Sequence, residues 1–292
     1  MTEKDFIPAP YNQTKSKGKV GYKSPSNIAL VKYWGKKENQ IPANPSISFT
    51  LDACATTTFV SYEKLADPVS DFSFELFFEG KIKPDFKPKI ETFLTRVESY
   101  LPFLKDYHFI IETSNSFPHS SGIASSASGM SALALCLVEL ERELNPSMTS
   151  TFFTRKASFL ARLGSGSACR SLEGDLVQWG AHEDNESSSD LYGVKYPHTV
   201  HSVFKKFHDT ILLVDKGEKQ VSSTVGHDLM HQHPFAIQRF EQAHDNLSKL
   251  TAILKGGNLS EFIKIVESEA LTLHAMMMTS HPYFILMKPN TL

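Results

Sequence analysis

Residues 116–142 read Ser-Phe-Pro-His-Ser-Ser-Gly-Ile-Ala-Ser-Ser-Ala-Ser-Gly-Met-Ser-Ala-Leu-Ala-Leu-Cys-Leu-Val-Glu-Leu-Glu-Arg, and this stretch decides the fold. Upstream, Tyr107, Phe109, Ile111 and Thr113 alternate with His108, Ile110 and Glu112, the period of a strand. Downstream, Met130, Leu133, Leu137, Leu140 and Leu144 recur at helical spacing until Asn145 and Pro146 stop the run. A small-residue loop therefore joins a strand to a helix N-terminus. There the backbone N–H groups lack intrahelical partners and the peptide dipoles add partial positive charge. Gly122, Ala124 and Ala127 would let a phosphate approach the backbone, while Ser121, Ser125 and Ser126 offer hydroxyls, so the loop is a candidate polyphosphate cradle. The same residues also allow a plain cap and close-packed turn. Neither a Gly-Lys-Ser/Thr signature nor a Gly-x-Gly-x-x-Gly spacing is present, so this is not a Walker loop or a dinucleotide fingerprint.

The chain of 292 residues is 41% hydrophobic and 21% charged with a net charge of −2, which fits one large or two ordinary globular domains and gives no electrostatic basis for binding nucleic acid or an anionic membrane. Cys54, Cys136 and Cys169 lack metal-ligand spacing and fit reduced thiols of an intracellular protein. Residues 1–19 are polar, without an apolar signal core, and no later run is long and apolar enough to span a bilayer. The expectation is a soluble, cytoplasmic protein acting on a small molecule.

Residues 1–19 read as a flexible arm. The block Ser-Pro-Ser-Asn-Ile-Ala-Leu-Val-Lys-Tyr-Trp-Gly-Lys-Lys at 24–37 reads as a short strand ending at Gly35, which leaves Lys32, Tyr33 and Lys36 where side chains converge on an anion, or else solvated lysines beside core aromatics. Residues 44–51 and 56–62 read as two strands joined by a turn at Asp52 and Ala53, and 72–78 as the first arm of a hairpin turning at Glu79 and Gly80. Helices are predicted over about 88–101 and 150–163. The second leads into Gly-Ser-Gly-Ser-Ala-Cys-Arg-Ser at 164–171, where Arg170 could pair with a carboxylate or phosphate, or tie down a turn. A strand follows over 174–180 and another opens at 210–215. His227, His231 and His233 read as a solvated helix face rather than a metal site, and two long helices, about 235–254 and 260–279, close the sequence with Met276, Met277 and Met278 as core filling.

Taken in order, Lys-Tyr-Trp-Gly-Lys, Pro-x-x-x-Gly-Ile-Ala-Ser-Ser-Ala and Gly-Ser-Gly-Ser-Ala-Cys-Arg-Ser resemble the diphosphomevalonate decarboxylases of the GHMP kinase superfamily. The resemblance runs from about Gly21 to the end. It implies an α+β, two-domain GHMP kinase fold: an ATP-binding domain over 20–200 with a left-handed βαβ unit, and a ferredoxin-like α/β sandwich over 201–292, incomplete at its end. It further implies ATP on Ser120, Ser121, Gly122, Ile123, Ala124, Ser125 and Ser126, with Mg²⁺ at Ser126. Diphosphomevalonate would lie on Tyr33, Trp34, Gly35, Lys36, Ser165, Gly166, Ser167, Ala168, Cys169, Arg170, Ser223 and Thr224. Lys32 and Arg170 would be the catalytic pair.

Within the superfamily the kinases place an aspartate where this sequence has Arg170; a carboxylate suits activation of a hydroxyl, whereas an arginine suits a substrate that carries its own carboxylate. The implied reaction is ATP-dependent decarboxylation of (R)-5-diphosphomevalonate to isopentenyl diphosphate, on the mevalonate route to isoprenoids and sterols, by a cytoplasmic homodimer. The family's general base, an aspartate in an Asp-Ala-Gly-x-Asn motif, is not met before Pro289-Asn-Thr-Leu292. Two alternatives stay open: a mevalonate-type kinase that does not decarboxylate, and a non-catalytic nucleotide-binding remnant.

Overall fold

The computed structural model describes residues 1–118, 122–212, 214 and 223–291, residues 223 and 224 by backbone alone. The chain forms two compact units, each discontinuous in sequence: Met1–Asn27, Thr50–Gly174 and Leu191–Gly193 in the first, Ile28–Phe49, Asp175–Asp190 and Val194–Leu292 in the second. Two long strands, β1 (Lys17–Val31) and β2 (Ser46–Lys64), contribute residues to both.

In the first unit, β1 lies beside β2 so closely that a Cβ on Gly18 would meet the Tyr62 ring and one on Gly21 the Phe59 ring. The strand expected to break at Asp52 and Ala53 continues through them. Neither residue has a left-handed φ, and Ser116 Oγ ties the exposed backbone by donating to Ala53 O at 2.6 Å and accepting from Ala55 N at 2.9 Å. After β3 (Ser73–Phe78), the turn at Glu79 and Gly80, both at positive φ, returns the chain as β4 (Lys81–Ile82), as the sequence suggested. Helix α1 (Lys87–Val97) then carries the chain to β5 (Tyr107–Asn115), which pairs parallel with β3 and antiparallel with β2. The result is a mixed sheet. Helix α2 (Ser125–Leu144) buries Leu133, Leu137 and Leu140, and α3 (Ser150–Gly164), capped by the Thr149 side chain, packs on it.

The first residues carry a buried anchor, unlike the free arm that their lysines and prolines suggested. Phe6 is fully buried, stacked on Phe159 at 4.3 Å, and Tyr11 OH donates to Glu141 at 3.2 Å. An aromatic side chain removed from water this completely outweighs the polar residues around it.

In the second unit, the start of β2 pairs with β6 (Leu176–Trp179), which pairs with β7 (Val194–Lys195). The strand expected at 210–215 does not form over Thr210, Ile211 and Leu212, and its remainder includes residues outside those described. Helices α4 (Ser223–Asp228), α5 (Ala236–Gly256) and α6 (Leu259–Thr279) follow. Between α5 and α6, Gly257 takes the left-handed cap and the Asn258 side chain accepts from Glu261 N. The core joins Leu30, Val31 and Ile47 to Leu247, Leu250 and Phe262. Met276 and Met277 pack with Trp34 and Met230, as core filling predicts, while Met278 faces outward.

Candidate active site

In the first unit, α2 begins at Ser125 directly after Ala124, whose φ of 51° turns the chain sharply into the helix. Gly122 has a φ of 84°, and among the described residues a Cβ built there meets nothing within 4 Å, which leaves room for an approaching group. Ile123 is buried beneath the loop while Ser126 is exposed on the first helical turn. That room, a 20-residue helix behind it and hydroxyls on its first turn fit a polyphosphate with its divalent cation. Beside Ser125 and Ser126 lies a cavity of about 220 Å³ whose walls are chiefly apolar, among them Leu76, Phe78, Phe86, Ile90 and Met130. Thr56, Thr113 and Asn115 add polar groups to its lining, and Lys89 a cation.

Arg170 closes a short turn, Gly166–Arg170, that follows α3. It is 3% exposed, and its Nε donates to Asn27 Oδ1 at 3.4 Å. Cys169 is buried beside it, and burial pushes its thiol up to about 12 against the pull of the Arg170 and Arg162 cations. It is therefore a neutral thiol rather than a nucleophile. The polar residues of β1 brace both loops. Ser24 Oγ donates to Ser171 O at 2.8 Å, and Asn27 Nδ2 donates to Ser171 Oγ at 2.8 Å and Ser167 O at 3.2 Å. Ser26 Oγ donates to Ile123 O. Sequence reasoning quoted Ser24, Ser26 and Asn27 without assigning them a task. The available signal was three hydrogen-bonding side chains directly before the apolar end of the strand, Ile28 to Val31.

In the second unit, residues 32–36 follow directly on the end of β1 at Val31. Gly35 is required there: its φ is 88°, and a Cβ would stand 3.0 Å from the Phe240 ring. Helix α4 lies against this segment. His227 Nδ1 accepts from Gly35 N at 3.2 Å, and its ring sits 4.2 Å from Tyr33 and 4.7 Å from Trp34. A Cβ on Gly226 would come within 2.6 Å of the Trp34 ring. His227 is thus packed between aromatics, which corrects the solvated face expected of it, and His233 is also buried, with its Nε2 hydrogen-bonded to Met276 O. No group of three metal-ligating side chains occurs among the described residues. Lys36 Nζ is 3.7 Å from Asp228 Oδ1.

Lys32 is held by its backbone: its N–H donates to Glu269 Oε2 at 2.8 Å and its carbonyl accepts from Arg239 Nη2 at 3.1 Å and Asn44 Nδ2 at 3.0 Å. Its Nζ donates to Ala29 O at 2.9 Å. Burial, and then the Lys32 charge, hold His274 below the ordinary histidine range.

The expected residues therefore fall into two groups. Gly122, Ile123, Ala124, Ser125 and Ser126 lie in the first unit with Ser165, Gly166, Ser167, Ala168, Cys169 and Arg170, both loops being tied to β1. Lys32, Tyr33, Trp34, Gly35 and Lys36 lie in the second with the backbone of Ser223 and Thr224 at the start of α4. Ser120 and Ser121 lie outside the described residues.

Comparison with known proteins identifies the family. The model of the diphosphomevalonate decarboxylase-like N-terminal domain matches residues 24–190. The diphosphomevalonate decarboxylase of Gibberella zeae is 30% identical over 279 residues, covering 89% of this chain and 68% of the relative. Two further fungal relatives, from Ganoderma lucidum and Aspergillus fumigatus, are each covered over 65% of their length, and that of Debaryomyces hansenii over 52%. Of solved structures, mevalonate diphosphate decarboxylase from Staphylococcus aureus superposes with a TM-score of 0.75 at 26% identity, over 94% of this chain and 78% of that one. MDDEF, determined in complex with MVAPP, AMPPCP and magnesium, gives 0.73 at 27% identity over the same shares. With a fold of this kind and the loops described above, the chain belongs to the diphosphomevalonate decarboxylase family of the GHMP kinase superfamily.

Proposed function

We propose that this chain binds ATP and (R)-5-diphosphomevalonate and serves their conversion to isopentenyl diphosphate, ADP, phosphate and CO₂, on the mevalonate route to isoprenoids and sterols. The observation that carries the reading is Arg170. A guanidinium that is 3% exposed, braced by Asn27 in a turn of small residues, is built to receive an anion and cannot remove a proton from a hydroxyl. That suits a substrate bearing a carboxylate.

On this reading residues 20–200 form the ATP-binding domain and 201–292 belong to the second domain. The nucleotide phosphates lie on the loop ending at Ser126, with Ser120 and Ser121 contributing earlier hydroxyls, and the apolar cavity beside Ser125 takes the nucleoside. Ser126 would hold Mg²⁺, which supplies charge neutralisation for the polyphosphate when bound. Tyr33, Trp34, Gly35 and Lys36, with Ser223 and Thr224, hold the diphosphate of the substrate. Ser165, Gly166, Ser167, Ala168 and Cys169 present hydroxyls and backbone around Arg170.

Transfer of the γ-phosphoryl group to the C3 oxygen, with the hydroxyl proton passing to water, turns a poor leaving group into a good one. The C3–O bond then breaks with its electron pair, and the bond to the carboxylate supplies the electrons of the new double bond as CO₂ leaves. Arg170 orients that carboxylate, and Lys32 stands at the reacting centre as a fixed positive charge. The working form is taken to be a cytoplasmic homodimer, which rests on the family resemblance.

Calorimetric titration of Arg170→Met tests the reading. Diphosphomevalonate binding should weaken by about tenfold or more, the loss of a charged hydrogen bond, while AMPPCP binding is unchanged. Equal loss of both ligands, or of neither, contradicts it.

A further inference from the structure

We propose that Asp228 is a built-in stand-in for the substrate's anion: its carboxylate occupies the Lys36 ammonium in the free protein and is displaced each time an anion binds there. The inference rests on the reading that Lys36 holds the diphosphate.

The two members of this pair differ in how firmly they are held. The Lys36 side chain is 14% exposed and its partner Asp228 is 52% exposed. The lysine belongs to a backbone fixed by the bridge from Lys36 to Pro42 and by Ala43 N donating to Gly35 O at 3.2 Å. An ammonium this enclosed is stabilised by a counter-charge, and Asp228 provides one at 3.7 Å. The carboxylate is the more hydrated member, at the last residue of α4, with water already beside it.

What keeps it within reach is the packing of the two residues before it. Gly226 is in contact with the Trp34 ring, and His227 is wedged between Tyr33 and Trp34 with its Nδ1 on Gly35 N. These contacts seat α4 on the segment that carries Lys36, so Asp228 returns to the ammonium whenever the site empties. Every anion must then compete with the same internal carboxylate. Affinity falls by one common factor, and departure of a diphosphate product is met by recapture of Lys36 rather than by a largely enclosed cation left without a counter-charge.

The test is calorimetric binding of inorganic pyrophosphate and of inorganic phosphate at low ionic strength to the whole chain, its Asp228→Asn variant and its Lys36→Met variant. Removing a partly exposed ion pair should tighten both anions in Asp228→Asn by about twofold to fivefold, and by the same factor for each. A gain that grows with the charge of the anion would mean that Asp228 only repels from a distance. Unchanged or weakened binding would mean that it does not compete. Each of these overturns the proposal. Lys36→Met should abolish pyrophosphate binding; if it does not, the placement of the diphosphate on Lys36 fails, whatever Asp228→Asn shows.

Discussion

Arg239 Nη2 stands 2.7 Å from Glu269 Oε2 with neither side chain exposed, and the pair grips both polar groups of one peptide unit's residue, Lys32. Asn246 Nδ2 completes the arrangement by donating to Glu269 Oε1 at 2.7 Å. Two buried charges pay a desolvation penalty that such geometry only offsets, so the arrangement is better understood as fixing the position of Lys32 than as a source of net stability.

Removing one member should therefore be severe. Glu269→Ala is expected to lose about 3–5 kcal/mol in urea unfolding, because Arg239 is left buried without its carboxylate. The paired replacement Arg239→Met with Glu269→Leu should recover most of that loss. A single variant within 1 kcal/mol of wild type, by order of magnitude, would contradict the account.

Phe6→Ala should destabilise the first unit by about 3 kcal/mol, the usual loss for truncating a fully buried phenylalanine, because the ring stacks on Phe159. Urea unfolding measures it. A change below about 0.5 kcal/mol, typical of surface sites, would show that the first residues are not part of the fold.

Asn27→Ala removes the side chain that links Arg170 to Ser167 and Ser171. Stability should fall by about 1–3 kcal/mol from the polar groups left unpaired. Diphosphomevalonate affinity should fall with it, and AMPPCP affinity should not. Calorimetry separates the two ligands, and a loss confined to AMPPCP would contradict the assignment.

His274 carries a pH dependence whose sign follows from its environment. Its folded pKa lies below the ordinary 6.5, first through burial and then through Lys32, and its buried Nδ1 has no hydrogen-bond partner among the described residues. The unfolded chain thus binds a proton more readily. The stability contributed by neutral His274 is present above about pH 6.5 and is lost as pH falls through the lower folded value. Chemical unfolding between pH 7 and 5 should show a shallower decline in His274→Phe than in wild type. An equal slope would contradict this.

Much of this fold was legible because its signals are local. The loop before Ser125, the turn at Glu79 and Gly80 and the helix stop at Asn145 each announce themselves within a few residues. The features that were missed depend on distant partners. Asp52 and Ala53 resemble a turn, yet β2 runs straight through because its two halves pair with different strands, β6 and β5. Phe6 gives no hint of Phe159, more than a hundred residues later, and His227 is a surface histidine until Tyr33 and Trp34 enclose it. The glutamate and arginine that clamp Lys32 lie on two amphipathic helices whose charged positions read as solvated. Periodicity reports which face is apolar and says nothing of an ion pair buried within it.

The most direct test of the central claim is a single reaction of this protein with Mg-ATP and diphosphomevalonate in which ADP and CO₂ are followed together. A decarboxylase releases the two in equal amounts. ADP without CO₂ would make the protein a kinase, and release of neither by protein that binds both ligands would make it a non-catalytic binder.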